Sequence, residues 1–168
     1  MIKVGILTIS DRSSRGERPD ASGPVIRELV SAEMGALITH EAVVPDEQEV
    51  IAQILREWST QVDLVLTTGG TGFAPRDVTP EATLAVIERR APGLEEVMRA
   101  DSLKKTPHAM LSRAVAGIRG RCIIVNLPGS PKAVRENLAT ILPALPHGVR
   151  LLKDEAAESE HAFGGRSV

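Results

Sequence analysis

Cysteine occurs once in 168 residues, as Cys122. The chain alone can therefore close no disulfide, and it has no cysteine pair to offer a structural zinc site. Aromatic residues are nearly as scarce, with two Phe, one Trp and no Tyr, which removes the stacking platforms that single-stranded nucleic-acid binders use. A formal charge of only −2 gives no bulk positive field, so no nucleic-acid partner is expected. No apolar run approaches the ~20 residues that cross a bilayer, and no basic-then-apolar leader opens the chain, so a cytoplasmic protein without membrane contact is expected. His40, His108, His147 and His161 are scattered without metal-ligand spacing. No Ser or Cys stands in a nucleophile motif, and no internal repeat or low-complexity block is seen.

What remains is an ordinary globular balance, 42% hydrophobic and 25% charged, and it requires an aliphatic core of Val, Ile, Leu and Ala. The length suits one domain, residues 1–153, followed by a polar, loose tail over 154–168. Cys122 lies in the apolar run RCIIVNLP and reads as a small buried hydrophobe. KVGILTIS (3–10) reads as a strand buried on both faces, residues 37–44 and VDLVLTT (62–68) read as a second and a third strand, and residues 114–126 supply further strand. Helical periodicity runs over 23–34, 46–58, 79–89, 93–103 and 130–141, with Thr79-Pro80 and Ser130-Pro131 as cap-plus-proline starts. Arg89-Arg90 reads as a solvated pair complementing a helix end. Strands alternating with amphipathic helices specify an α/β fold, a mostly parallel sheet with helices on both faces. Right-handed crossovers then place the strand-to-helix loops along one edge, beyond the carboxyl ends of the strands.

Three loops on that edge carry the polar residues: Ser10-Asp11-Arg12, Pro45-Asp46-Glu47, and GGTGFAPRD from Gly69 to Asp77; Asn126 to Lys132, NLPGSPK, joins them. The glycine loop is not a Walker A loop, because no Lys follows the glycines, nor a dinucleotide fingerprint, because Pro75 stands where the third glycine belongs. Gly69, Gly70 and Gly72 still let backbone N–H groups approach an anion, with Thr67, Thr68 and Thr71 adding hydroxyls. The alternative is a tight strand-to-helix turn that binds nothing. Asp46 and Asp77 then read either as two solvated helix caps or as carboxylates that hold Mg²⁺ beside bound phosphates. The first turn after Asn126, with Lys132, either holds a second anion or is a plain capped corner.

ILTISDR (6–12), VPDEQ (44–48), TTGGTGFAPRDVTPEAT (67–83), AMLSRAVAGIRG (109–120) and NLPGSPKAV (126–134), five motifs in register, resemble the molybdopterin adenylyltransferases, the MogA/MoaB proteins, which are similar also to the gephyrin G domain. The resemblance implies a three-layer α/β/α molybdopterin-binding fold and a homotrimer, with hexamers on the MoaB side. It implies transfer of AMP from Mg²⁺-ATP to the terminal phosphate of molybdopterin, with release of pyrophosphate, in molybdenum cofactor biosynthesis, and a partner that later inserts molybdate. By carry-over, Asp46 and Asp77 are the catalytic and metal-binding carboxylates. Ser10, Asp11, Thr68, Gly69, Gly70, Thr71, Gly72, Ser112, Asn126, Gly129 and Ser130 would form the substrate pocket. The alternative within the same family is a MoaB-type, non-catalytic molybdopterin-binding or assembly protein.

Overall fold

The computed structural model describes residues 1–153; the expected loose tail, 154–168, lies outside the described residues. A six-stranded sheet is built from β1 (Lys3–Ile9), β2 (Leu37–Val44), β3 (Leu64–Thr68), β4 (Arg89–Arg90), β5 (Ala116–Arg119) and β6 (Cys122–Leu127). Its order is β2-β1-β3-β6-β5-β4. The first four strands are parallel, and β5 and β4 add an antiparallel edge. The register brings Thr8, Thr68 and Leu127 level across β1, β3 and β6, so their carboxyl ends finish in one line.

Helices cover both faces, as the α/β pattern requires. On one side α2 (Ser22–Met34), α5 (Pro92–Leu103), α6 (Pro131–Ile141) and α7 (Leu145–Leu152) pack over Val4, Ile6, Leu64, Leu66, Ile123 and Val125. On the other, α3 (Gln48–Trp58) and α4 (Thr79–Leu84) cover Leu7, Ile9, Val65, Cys122 and Ile124. Alternate residues of β3 thus feed opposite cores, which is why the strand reads as continuous apolar sequence. Each fully buried Leu, Ile or Val contributes roughly 1.5–3 kcal/mol, and this aliphatic burial replaces the missing aromatics. Cys122 is fully buried, as expected of a small hydrophobe.

Several elements depart from the sequence expectation. A four-residue helix α1 (Asp11–Ser14) follows β1 directly, capped by the Ser10 hydroxyl accepting from the Ser13 N–H at 3.1 Å. The third strand begins at Leu64 rather than at Val62. The helix expected to start at Asp46 begins at Gln48, because the Asp46 carboxylate is engaged elsewhere. Helix α4 stops at Leu84, and Arg89-Arg90 is not a helix end but the outer strand β4, paired with Ile118 and Gly117. Cross-strand pairing with β5 outweighs the helical pattern there, and Arg90 reaches back to the buried carboxylate of Glu95. The strand expected over 114–126 is a hairpin, β5 and β6, and α7 was not anticipated.

Candidate active site

The sheet order changes direction between β1 and β3: β1 continues outward to β2, whereas β3 leads inward to β6. Loops leaving the carboxyl ends at such a point diverge and leave a crevice. A cavity of about 580 Å³ opens there and brings together Ser10, Asp46, Thr68, Gly69, Gly70, Asp77, Gly129 and Ser130. A second cavity, about 290 Å³, lies on the far side of the glycine loop, lined by Thr71, Gly72 and Ser112 among others. The expected single pocket is therefore two cavities sharing one wall. Asp11 and Asn126 line neither.

The shared wall is shaped by backbone sterics. Gly69 and Gly70 have φ of 97° and 66°, a region that favours glycine. A β-carbon on Gly69 would collide with the Ile9 carbonyl oxygen, and one on Gly70 would lie 3.0 Å from the Asp46 carboxylate. On Gly72 it would lie 2.9 Å from the Asp77 carboxylate. The two acids thus press on the loop two residues apart.

The loop's carbonyls are taken. The Thr79 hydroxyl donates to the Gly69 carbonyl at 2.9 Å and the Thr79 N–H to that of Gly70 at 3.1 Å. Arg113 takes the next two, its N–H donating to Thr71 O and its Nε to Gly72 O, each at 2.8 Å. The N–H groups of Gly70, Thr71, Gly72 and Phe73, by contrast, find no acceptor among the described residues. A run of free donors on a loop whose acceptors are satisfied is the arrangement that binds an anion. The threonine hydroxyls contribute less than the sequence suggests. Thr68 donates its proton to the Pro128 carbonyl at 2.7 Å, and Thr67 is buried and accepts from Asn126. Only the Thr71 hydroxyl remains.

Asn126 is a correction. It is fully buried, its Nδ2 donating to the Thr67 and Thr83 hydroxyls at 3.0 and 2.9 Å and its Oδ1 accepting from the Val115 N–H at 3.1 Å. Both amide protons and the amide oxygen are engaged inside the protein, tying β3, β6 and α4 together beneath the site. Asp11 is likewise not free for a ligand. Arg76 grips both its oxygens, at 2.6 and 3.0 Å, and its Oδ1 also accepts the Asp46 N–H.

Electrostatics separate the acids. The Arg76 hydrogen bond holds the Asp11 carboxyl below the usual carboxylate range. Asp46 is pushed the other way, first by burial and then by the charges of Asp11 and Asp77. Asp46 uses Oδ2 to accept the Asp11 N–H and Asp77 uses Oδ2 to accept the Ala74 N–H; the second oxygen of each meets no donor among the described residues. Among those residues no three His, Cys, Asp or Glu cluster as a metal cage. Two carboxylate oxygens beside an anion loop fit instead a hard cation completed by substrate phosphates.

Residues the sequence reading passed over also build the site. Asp20 accepts the N–H groups of Ser22 and Gly23, both at 3.0 Å, and the Thr8 hydroxyl at 2.7 Å, fixing the start of α2 against β1. An Asp two residues before Ser-Gly-Pro is a legible capping signal. Arg18 lines the first cavity and has no carboxylate partner among the described residues. Neither it nor Arg113 carries a local signature, since what they face lies far away in sequence.

Comparison with known proteins agrees with this architecture. A family model described as "Probable molybdopterin binding domain" matches residues 5–147. The chain is 47% identical over 154 residues to a molybdopterin adenylyltransferase of Helicobacter pylori, covering 90% of this chain and 88% of that protein. It is 49% identical over 166 residues to gephyrin of Dictyostelium discoideum, covering 93% of this chain but spanning only 23% of gephyrin's length. The solved structure of the molybdopterin biosynthesis enzyme MoaB from Thermus thermophilus superposes with a TM-score of 0.85 at 51% identity, covering 90% of this chain and 96% of that one.

Proposed function

The chain belongs to the molybdopterin binding domain family, and from that membership we propose that it is a molybdopterin adenylyltransferase, moving AMP from ATP to the terminal phosphate of molybdopterin. One observation carries the reading: two cavities share the glycine loop as a common wall. Group transfer between two phosphate-bearing substrates needs two sites that meet over one anion-binding element, and a binding-only protein needs one.

In the reaction, an oxygen of the molybdopterin phosphate bonds to the α-phosphorus of ATP, and the bond to the β-phosphate oxygen breaks as pyrophosphate leaves with its electron pair. No proton has to be removed from the attacking group, whose phosphate is largely ionised at neutral pH, which fits the absence of a histidine from the first cavity. The free N–H groups of Gly70 to Phe73 would donate to phosphate oxygens and stabilise the charge that builds on them. Ser130 caps α6, accepting from the Ala133 N–H at 3.2 Å, and with Gly129 would close the floor under the phosphates. Arg18 would add a cation at the cavity wall. Mg²⁺, when bound, supplies neutralisation of the phosphates, and Asp46 and Asp77 are the residues that would hold it.

The reading extends to a homotrimer that hands its product to a molybdate-inserting partner in the cytoplasm. Among the described residues no helix is long and apolar enough to cross a membrane. Sedimentation at micromolar concentration tests the trimer, which a lone monomer would rule out.

Incubation of the protein with molybdopterin, ATP and Mg²⁺, followed by mass analysis, should reveal the AMP adduct and released pyrophosphate. Asp77→Asn should bind molybdopterin and make little adduct. Tight molybdopterin binding by the wild type with no pyrophosphate release would leave the non-catalytic, MoaB-type role instead.

A further inference from the structure

We propose that Arg113 is a positioning residue for this reaction, acting through the glycine loop rather than on a substrate; the inference rests on the function proposed above. Its backbone N–H donates to the Thr71 carbonyl at 2.8 Å, and its side chain donates from Nε to the Gly72 carbonyl at 2.8 Å and from Nη2 to the Asp77 carbonyl at 2.7 Å. Its Nη1 pairs with Glu81 in the first turn of α4. These three carbonyls bracket the whole segment between the glycines and the second carboxylate.

The consequence follows from peptide planarity. In a trans peptide the carbonyl of one residue and the N–H of the next point in opposite directions. Holding the Thr71 carbonyl on the Arg113 side turns the Gly72 N–H away from it, and holding the Gly72 carbonyl does the same for the Phe73 N–H. Thr79 performs the equivalent service for the Gly70 and Thr71 N–H groups by taking the Gly69 and Gly70 carbonyls. Four successive N–H groups are thus set on the face opposite their anchors, and they are the four without an acceptor among the described residues. The Asp77 contact fixes the backbone from which that carboxylate projects into the first cavity.

Arg113 is itself held. Arg99 Nη1 donates to the carbonyls on either side of it, Ser112 and Ala114, both at 3.1 Å, and Arg99 Nη2 pairs at 3.4 Å with Glu95, which is 3% exposed. A continuous chain of hydrogen bonds and ion pairs thus runs from a buried carboxylate to the loop. A lysine could not replace the fork, because one ammonium cannot meet the Gly72 carbonyl, the Asp77 carbonyl and the Glu81 carboxylate together.

The test uses Arg113→Ala and Arg113→Lys in the full chain, with folded fraction measured by circular dichroism in urea. AMP transfer should show kcat reduced about 100-fold in Arg113→Ala, the size of effect a small misplacement of a reacting group produces, while the KM for ATP moves far less. Calorimetry with inorganic pyrophosphate in EDTA should show binding weakened about ten-fold, because the Phe73 N–H loses the side-chain anchor that aims it and the segment up to Asp77 is released, without any metal being involved. Arg113→Lys should recover stability but not the rate. A folded Arg113→Ala with wild-type kcat and wild-type pyrophosphate affinity overturns the proposal, as does a rate loss that only tracks the unfolded fraction. Should Arg113→Ala not fold, Arg113→Lys carries the same readouts, and a wild-type rate in it overturns the proposal. A wild-type protein that makes no AMP adduct defeats the proposed function instead, and the pyrophosphate arm still decides the role of Arg113.

Discussion

Asp11 and Asp46 are crossed: each carboxylate accepts the backbone N–H of the other, at 2.9 Å into Asp46 Oδ2 and 3.0 Å into Asp11 Oδ1. The loops after β1 and β2 are thereby locked at the cost of placing two acids together, which Arg76 offsets on the Asp11 side only.

The unrelieved charge falls on Asp46, and it sets a stability prediction. A carboxyl whose pKa is raised on folding destabilises the native state once pH climbs through the window between its ordinary and its raised value. Asp46→Asn removes that burden while keeping an acceptor for the Asp11 N–H. It should raise Tm at pH 7 while transfer activity collapses. Calorimetry across pH should show the difference closing as pH falls and wild-type Asp46 protonates. Asp11 has the opposite sign. Its lowered pKa contributes stability above the ordinary carboxylate value that disappears as pH falls through the folded value, so Arg76→Ala should flatten that acid limb.

Gly69→Ala should cost about 3 kcal/mol, because its φ is in the left-handed region and its β-carbon would meet the Ile9 carbonyl in the neighbouring strand. Urea unfolding measures this directly. A variant as stable as wild type would mean that the loop is not as tightly seated against β1 as described.

Asn126→Ala separates an internal from a ligand-binding role. Loss of three buried hydrogen bonds, with the Val115 N–H left unpaired, should destabilise by about 2–4 kcal/mol. Molybdopterin affinity of the folded fraction should change little. Weak binding at unchanged stability, read by calorimetry against urea melts, would return Asn126 to the pocket.

Burial pushes the Cys122 thiol up to about 12, and thiolate is the reactive form. A disulfide reagent at pH 8 should therefore leave the native protein unlabelled for as long as it stays folded, and labelling should follow global unfolding. Rapid labelling without unfolding would place Cys122 nearer the surface than β6 allows.

The polar loops could be located from the sequence because their causes are local. Apolar runs define β1 and β3, glycines follow β3, and Thr79-Pro80 and Ser130-Pro131 open helices with their own capping atoms. Partners on other segments left no such trace. Nothing around Arg89 announces that Ile118 will pair beside it, and nothing around Asn126 says that its amide will be consumed by Thr67, Thr83 and Val115.

Residue order alone therefore settled most of the strands and helices, with α1, β4 and α7 as exceptions, and that acids and glycines collect at one edge, because those choices depend on side-chain periodicity and on neighbours within a few positions. Packing settled the rest: which acid is burdened and which relieved, which threonine keeps a free hydroxyl, and that Ser112 faces a second cavity across the glycine loop. Such outcomes depend on hydrogen-bond competition and burial between segments that meet only when the sheet closes.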